Sequence, residues 1–297
     1  MHRIPDRPVK SINLSVIYDF CERFNPKNLA DILTGYAKTH DPLNKPLTPP
    51  KSLLRTCGRA IADFDMIRDG DRVLLGLSGG KDSLSLLQIL LHFQRHAPVS
   101  FKVGAITIDP QSETFSPIAL KPYLASLGVD YHYIKEPIVE LAESHMDNNS
   151  YCSFCARMKR GLMYKTCRDA RYNVLALGQH LDDLAESFLM SAFFGGKLQT
   201  MKAHYQIDQG DLRVIRPLVY ARERQLKDFA EAAKLPVIVE NCPACFEKPT
   251  QREHMKQLLA AEEASNPQLF KSLKTTLLPL MRDGMPATKK NNKCAIT

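Results

Sequence analysis

Six consecutive residues, Ser78-Gly79-Gly80-Lys81-Asp82-Ser83, set two glycines beside a cation, a carboxylate and two hydroxyls. Glycine lets a backbone come close to a ligand and leaves its N–H groups free to point at it. If a helix follows, its N-terminal dipole adds to the attraction for an anion. Ser78 and Ser83 can donate to phosphate oxygens and Lys81 supplies charge. Gly76 and Gly80 are separated by three residues where a Walker A loop has four, and Asp82 stands where that loop has Ser or Thr. The plain alternative is a tight strand-to-helix turn with Asp82 as a capping group. A second run, Gly178-Gln179-His180-Leu181-Asp182-Asp183, offers Gly178 for close approach and two carboxylates for a divalent cation such as Mg2+. Acidic residues in a first helical turn are also common for capping alone. Asp109 reads either as a nucleotide or metal contact or as a turn residue.

The eight cysteines pose a separate question. Four fall into two Cys-x-x-Cys pairs, Cys152/Cys155 and Cys242/Cys245, with residues 156–241 between them. Such a pair directs two thiolates toward one ion, but this separation far exceeds that of a zinc ribbon, about 15–20 residues. The fold must therefore bring the pairs together. A four-cysteine zinc site, an iron–sulfur cluster and redox dithiols all remain open on spacing. Cys21, Cys57 and Cys167 are isolated and read as inert thiols. Cys294-Ala295-Ile296-Thr297 fits a prenylation box formally, and a chance match is preferred, so no membrane attachment is expected.

Behind the first pair lies a basic run: Arg157, Lys159, Arg160, Lys165, Arg168 and Arg171, with Asp169 the single acid. Arg157, Arg160, Arg168 and Arg171 fall near one helical stripe. That stripe suits RNA phosphates, although a solvated face is the usual meaning of such a run. Lys197 and Lys202, beside Gly195-Gly196, are weaker candidates for the same role.

The 297 residues suffice for one large α/β domain with additions. Forty Lys and Arg against 32 Asp and Glu leave a charge of +8, which admits an anionic partner without requiring one. A content of 44% hydrophobic and 24% charged residues excludes wholesale disorder. No membrane span or secretory signal is visible, so a cytoplasmic location is expected. The periodicity predicts strands at 72–77, 101–108, 131–134, 174–177, 213–215 and 237–239. It predicts helices at 84–95, 117–127, 156–170, 182–194 and 223–234. Alternating strands and helices make a doubly wound parallel sheet, with its chemistry at the carboxyl ends of the strands. Both loops and Asp109 fall at such ends. The prolines between Pro42 and Pro50 close an N-terminal extension. The divisions expected are 1–50, a catalytic domain over 51–240, and a C-terminal part over 241–297 with the second cysteine pair, a helix and a basic tail.

The hexapeptide resembles the PP-loop of the ATP pyrophosphatase superfamily, whose fold is adenine nucleotide alpha hydrolase-like and whose members cleave ATP between the α and β phosphates. The second loop is similar to the Gly-His-x-x-Asp-Asp segment of its tRNA-modifying members, with Gln179 in place of a frequent His. Further motifs follow in order: Cys57 to Phe64, Cys152-Ser-Phe-Cys155-Ala-Arg157-x-x-Arg160-Gly161, Phe193 to Lys197, Arg216-Pro217-Leu218, Cys242-x-x-Cys245 and Gln251-Arg252. Together they resemble the tRNA 2-thiocytidine synthetase family. The resemblance implies an adenylating tRNA sulfurtransferase that uses Mg-ATP and makes 2-thiocytidine at cytidine 32. It implies Lys81, Asp82 and Asp183 as catalytic residues, and Ser78 to Ser83, Asp109, Gly178, His180 and Asp182 at ATP. A 4Fe-4S cluster would rest on Cys152, Cys155 and Cys245, with Cys242 nearby and one iron open for sulfur. Arg157, Arg160, Arg168 and Lys197 would meet tRNA. A sulfur-donor protein such as a cysteine desulfurase and homodimer formation complete the implied partners. Two other readings stand beside it: a PP-loop tRNA-modifying ligase whose four cysteines hold structural zinc, and a nucleic-acid-binding module with a degenerate nucleotide site.

Overall fold

A computed structural model describes residues 47–112, 115–145, 151–238 and 251–282, with backbone alone at 143–145 and 151–153. The chain separates into two units, Met1–Lys45 and Pro46–Thr297, and the description belongs to the second. Its elements in order are α1 (Lys51–Asp63), β1 (Arg72–Gly76), α2 (Lys81–His96), β2 (Lys102–Asp109), α3 (Leu120–Ser126) and β3 (Asp130–Lys135). There follow α4 (Ile138–His145), α5 (Tyr151–Asp169), β4 (Val174–Ala176), α6 (Leu181–Gly195), β5 (His204–Gln206) and β6 (Arg213–Ile215). The last three are α7 (Glu223–Ala232), α8 (Gln251–Ser265) and α9 (Leu269–Met281).

The six strands lie in the order β3-β2-β1-β4-β6-β5. All neighbours are parallel except the edge pair β5/β6, which is antiparallel. The chain builds outward from β1 to β3, then returns to the other side of β1 to lay down β4. The order thus reverses between β1 and β4, and the crevice at their carboxyl ends is where such sheets bind ligands. Continuous apolar runs explain the burial of these strands on both faces: Val73-Leu74-Leu75 and Val174-Leu175-Ala176 are fully buried. Helix α2 is buried without interruption from Ser83 to Leu91, so the phosphate-type loop is fixed to the most rigid part of the core.

At the opposite edge, Asp71 ties three strand starts together. It is 3% exposed and accepts from the Arg68 N–H at 2.7 Å, from Asn173 Nδ2 at 2.9 Å and from the Arg213 guanidinium. Burying this carboxylate is tolerable because each oxygen is satisfied and a cation balances it.

Ten of the eleven predicted strands and helices are present, with ends shifted by a few residues. One expectation is overturned. Of the strand predicted at 237–239, Val237-Ile238 is not a strand and Val239 lies outside the described residues; β5 is the neighbour of β6 at that edge of the sheet. Instead the Ile238 N–H donates to Gly79 O at 2.9 Å, laying this segment across the glycine loop. Strand β5, helix α4 and the pair α8/α9 were not foreseen; a single C-terminal helix was. No helix of the described residues is long and apolar enough to cross a membrane.

Asp71→Ala removes the acceptor for three donors and strands the buried Arg213 charge. It should cost about 3–5 kcal/mol of folding stability in urea unfolding at pH 7, with Asp71→Asn costing less because it keeps an acceptor.

Candidate active site

The loop from Ser78 to Ser83 joins β1 to α2. Gly79 has φ +89°, and a Cβ there would stand 2.8 Å from Ile238 Cδ1, so both its conformation and its space require glycine. Gly80 is the extended N-cap of α2. Ser83 Oγ donates to Gly80 O at 3.0 Å and lies 3.2 Å from Ser78 Oγ, while the Gly80 N–H donates to Ser78 Oγ at 3.3 Å. These bonds hold the loop open-handed at the helix N-terminus, the arrangement that favours an anion.

The second loop lies directly against it. A Cβ on Gly178 would stand 3.3 Å from Ser83 N and 3.5 Å from the Asp82 carbonyl carbon. On its Cβ side Gly178 is thus packed against the first loop. His180, 3% exposed, caps α6: its Nδ1 accepts from the Asp183 N–H at 3.3 Å, and its own N–H donates to Asp183 Oδ2 at 3.0 Å. Its Nε2 faces Asp183 Oδ2 at 3.4 Å and Asp82 Oδ2 at 3.8 Å. Burial pushes the Asp82 carboxyl above the usual range, against the pull of His180 and Lys81. Its Oδ1 is buried with no partner among the described residues. An unsatisfied carboxylate oxygen at the mouth of an anion loop is an atom that a divalent cation would satisfy.

Lys81 does not hang free. Its Nζ donates to Glu223 Oε1 at 2.9 Å and to Asp82 Oδ2 at 3.1 Å. From α8, Lys256 Nζ donates to the same Glu223 Oε1 at 3.0 Å. Burial would raise the Glu223 pKa, but the two ammonium groups outweigh it and hold the carboxyl at about 2. Beside it Arg222 lies within 3.1–3.2 Å of both Asp182 oxygens, forks onto Glu263 at 2.7 Å on each prong, and stacks on Phe270. Asp182 also accepts the Glu223 N–H at 2.8 Å. Glu186, one turn along α6, is 4% exposed and meets Arg252 at 3.2 Å. Burial, then Asp183, pushes its carboxyl up to about 7. Glu223, Arg222, Lys256 and Glu186 were not singled out in the sequence; nothing local marks Glu223 as the partner of a lysine on another helix.

Asp109 ends β2 as expected, yet its carboxylate is in use, accepting from Gln111 N at 2.8 Å and from the Tyr133 hydroxyl. Helix α5 leads into β4, so it runs back along the sheet and its N-terminus stands at the carboxyl edge, the edge of both loops. Positions 152 and 155 are one turn apart there and share a face. Cys155 is half-buried and packs with Phe154 and Met158 against the core cluster that includes Ile108, Ile138 and Leu177. Farther along α5, Met163 Sδ would be 3.1 Å from a Cβ on Gly76, the last residue of β1. Cysteine at both positions is the residue type an iron–sulfur cluster takes as ligand. Cys242, Cys245 and Cys294 lie outside the described residues.

Arg157 and Arg160 are exposed near that end. Arg168 is exposed too, but forks onto Asp211 at 2.7 and 3.3 Å. Arg171 lies beyond α5 with φ +59°, and its carbonyl accepts from Arg72 Nε at 2.9 Å. Lys197 is exposed beside Phe193, Phe194 and Leu198, which are 59%, 56% and 73% exposed.

A glycine loop of this form at the reversal of a mostly parallel sheet defines a PP-loop domain, and the sequence pattern of that domain matches residues 53–254. The tRNA-cytidine(32) 2-sulfurtransferase of Geobacter sulfurreducens is 42% identical over 224 residues, 75% of this chain and 87% of that protein. The protein of the same name from Aliivibrio salmonicida is 37% identical over 229 residues, 76% of this chain and 74% of its own. The chain belongs to the tRNA-cytidine(32) 2-sulfurtransferase family of PP-loop transferases. Among solved structures, the U34-tRNA thiolase NcsA from Methanococcus maripaludis with its 4Fe-4S cluster shares the fold. It covers 80% of each chain at a TM-score of 0.63 and 22% identity.

Two variants probe this site. Gly79→Ala combines a strained φ with a clash on Ile238 and should cost about 1–3 kcal/mol of stability and weaken ATP binding, read by urea unfolding and calorimetry. Glu186 has a folded pKa near 7 against an ordinary 4.5, so raising the pH from 4.5 through 7 costs the fold stability. Glu186→Gln removes that cost: it should be more stable than the parent by roughly 1–3 kcal/mol at pH 8 and equal to it at pH 4.5, in thermal unfolding at both values.

Proposed function

We propose that this protein converts cytidine 32 of tRNA to 2-thiocytidine, using ATP to activate the base. Family membership supports the substrate. The observation that carries the chemistry is the pairing of an open glycine loop with an unpartnered, buried Asp82 Oδ1 in the crevice between β1 and β4. In this reading the loop N–H groups, Ser78, Ser83 and Lys81 hold the ATP phosphates, and Asp82 and Asp183 hold Mg2+, which would neutralise phosphate charge. The cytidine O2 attacks the α-phosphorus; the bond to the β-phosphate oxygen breaks and pyrophosphate leaves. Sulfur at the oxidation level of sulfide then adds at C2, and AMP departs with the former O2. The protein contributes orientation and fixed charge to both steps.

Cys152, Cys155 and Cys245 would hold a 4Fe-4S cluster, whose chemistry when bound is to present the sulfur. Arg157, Arg160 and Lys197 are exposed and suited to tRNA phosphates; Arg168 would first have to leave Asp211. Under this reading residues 51–240 carry the ATP chemistry, 241–297 bring the second cysteine pair, and 1–50 form an extension. A cysteine desulfurase as sulfur source, a homodimer and a cytoplasmic location complete the proposal.

The test is mass spectrometry of tRNA from cells lacking the gene. 2-Thiocytidine should disappear, return with the parent gene, and stay at least about 100-fold lower with Lys81→Ala. Unchanged 2-thiocytidine in the deletion strain would overturn the assignment. Brown, anaerobically purified protein supports the cluster, whereas colourless protein with stoichiometric zinc supports a structural metal.

A further inference from the structure

Lys256 lies on α8, far from the glycine loop in sequence, yet it shares a partner with the loop lysine. Lys81 Nζ and Lys256 Nζ are both about 3 Å from one atom, Glu223 Oε1, and Lys256 also meets Glu223 Oε2 at 2.9 Å. A single anionic oxygen therefore already bridges the two ammonium groups. A phosphate oxygen has the same charge and accepts the same bonds.

The surrounding charges favour a further cationic side chain beside Lys81 and Mg2+. Asp82, Asp182, Asp183 and Glu223 crowd the loop. Arg222 is committed to Asp182, Glu263 and the face of Phe270, and Arg252 to Glu186. Even with Mg2+ on Asp82 and Asp183, Lys81 is divided between Asp82 and Glu223, and a polyphosphate tail would gain from a second ammonium group. Lys256 is held at the same place and is half-exposed, with a side-chain exposure of 48%, so it can follow an anion that replaces Glu223. Beside it opens a cavity of about 210 Å³ lined by Asp182, Glu186, Arg222, Glu223, Lys256 and Leu259, which leaves room for a phosphate group or for the displaced glutamate.

We infer that Lys81 and Lys256 together form a subsite for the β,γ-diphosphate of ATP and for the pyrophosphate released, with Glu223 bridging them when no phosphate is bound. The subsite deepens the ATP-dependent reading above and rests on it. It makes Lys256 a binding residue from outside the glycine loop. It also ties α8, which follows the second cysteine pair in sequence, to occupancy of the nucleotide site.

Full-length, anaerobically purified protein would be titrated calorimetrically with inorganic pyrophosphate, ATP and AMP, each with Mg2+. Lys256→Gln should weaken pyrophosphate and ATP at least tenfold and leave AMP within twofold, with Lys256→Arg restoring most of the loss. If Lys256→Gln lowers the melting temperature but leaves pyrophosphate binding unchanged, Lys256 is a structural clamp and the inference fails alone. A parallel loss of AMP affinity would also overturn it, because the effect would not be confined to the diphosphate. If the parent protein binds neither ATP nor pyrophosphate, the ATP-dependent reading fails and the inference fails with it.

Discussion

Two loops touch backbone to backbone where the strand order reverses, and the site depends on that contact. Only a residue without a Cβ lets β4 end so close to the first turn of α2: Gly178 stands against Ser83 and Asp82. The approach brings His180, Asp182 and Asp183 to the side of Lys81 and Asp82. The parallel sheet supplies the crevice, and the buried length of α2 keeps one wall from yielding. Ile238 then closes over Gly79 from a third direction.

So many charges in one crevice need a common solution. The cations are shared rather than paired singly: Glu223 takes two lysines, and Arg222 serves Asp182 and Glu263 while stacked on Phe270. Removing any one member leaves a partly buried charge uncompensated, which is costlier than the pair itself is stabilising. The exceptions are Asp82, with one oxygen unsatisfied, and Glu186, whose carboxyl titrates near neutrality. Both stand where an anion and its counter-cation are expected, as they would if the site is completed by its ligand.

The order of elements around the glycine loop was legible because buried parallel strands are short apolar runs and their helices are long and periodic. Both functional loops were legible for the same reason, being the junctions of those runs. The ion network was not. Glu223 and Lys256 read as ordinary surface charges on amphipathic helices, and only the sheet order brings them to Lys81. Val237-Ile238 has the composition of a strand, yet the neighbour of β6 at that edge is β5 and the Ile238 N–H goes to Gly79, pairings no local pattern reports. Asp109 and Gly178 were recognised as residues at strand ends, while their partners, Tyr133 and the backbone of Ser83, came from elsewhere in the fold. Arg157 and Arg168 share a stripe in sequence but not a circumstance: one is exposed near the α5 N-terminus, the other is forked onto Asp211.

Ile238 and Arg252 are both held beside the nucleotide loop, the first by its bond to Gly79 and the second by Glu186. In sequence Cys245 lies seven residues from Ile238 and seven from Arg252. A fully extended chain advances at most about 3.6 Å per residue, so covalent length alone limits Cys245 to roughly 25 Å from either residue. The two described flanks of the second cysteine pair therefore begin and end at the walls of the nucleotide site, and whatever loosens either wall loosens a flank.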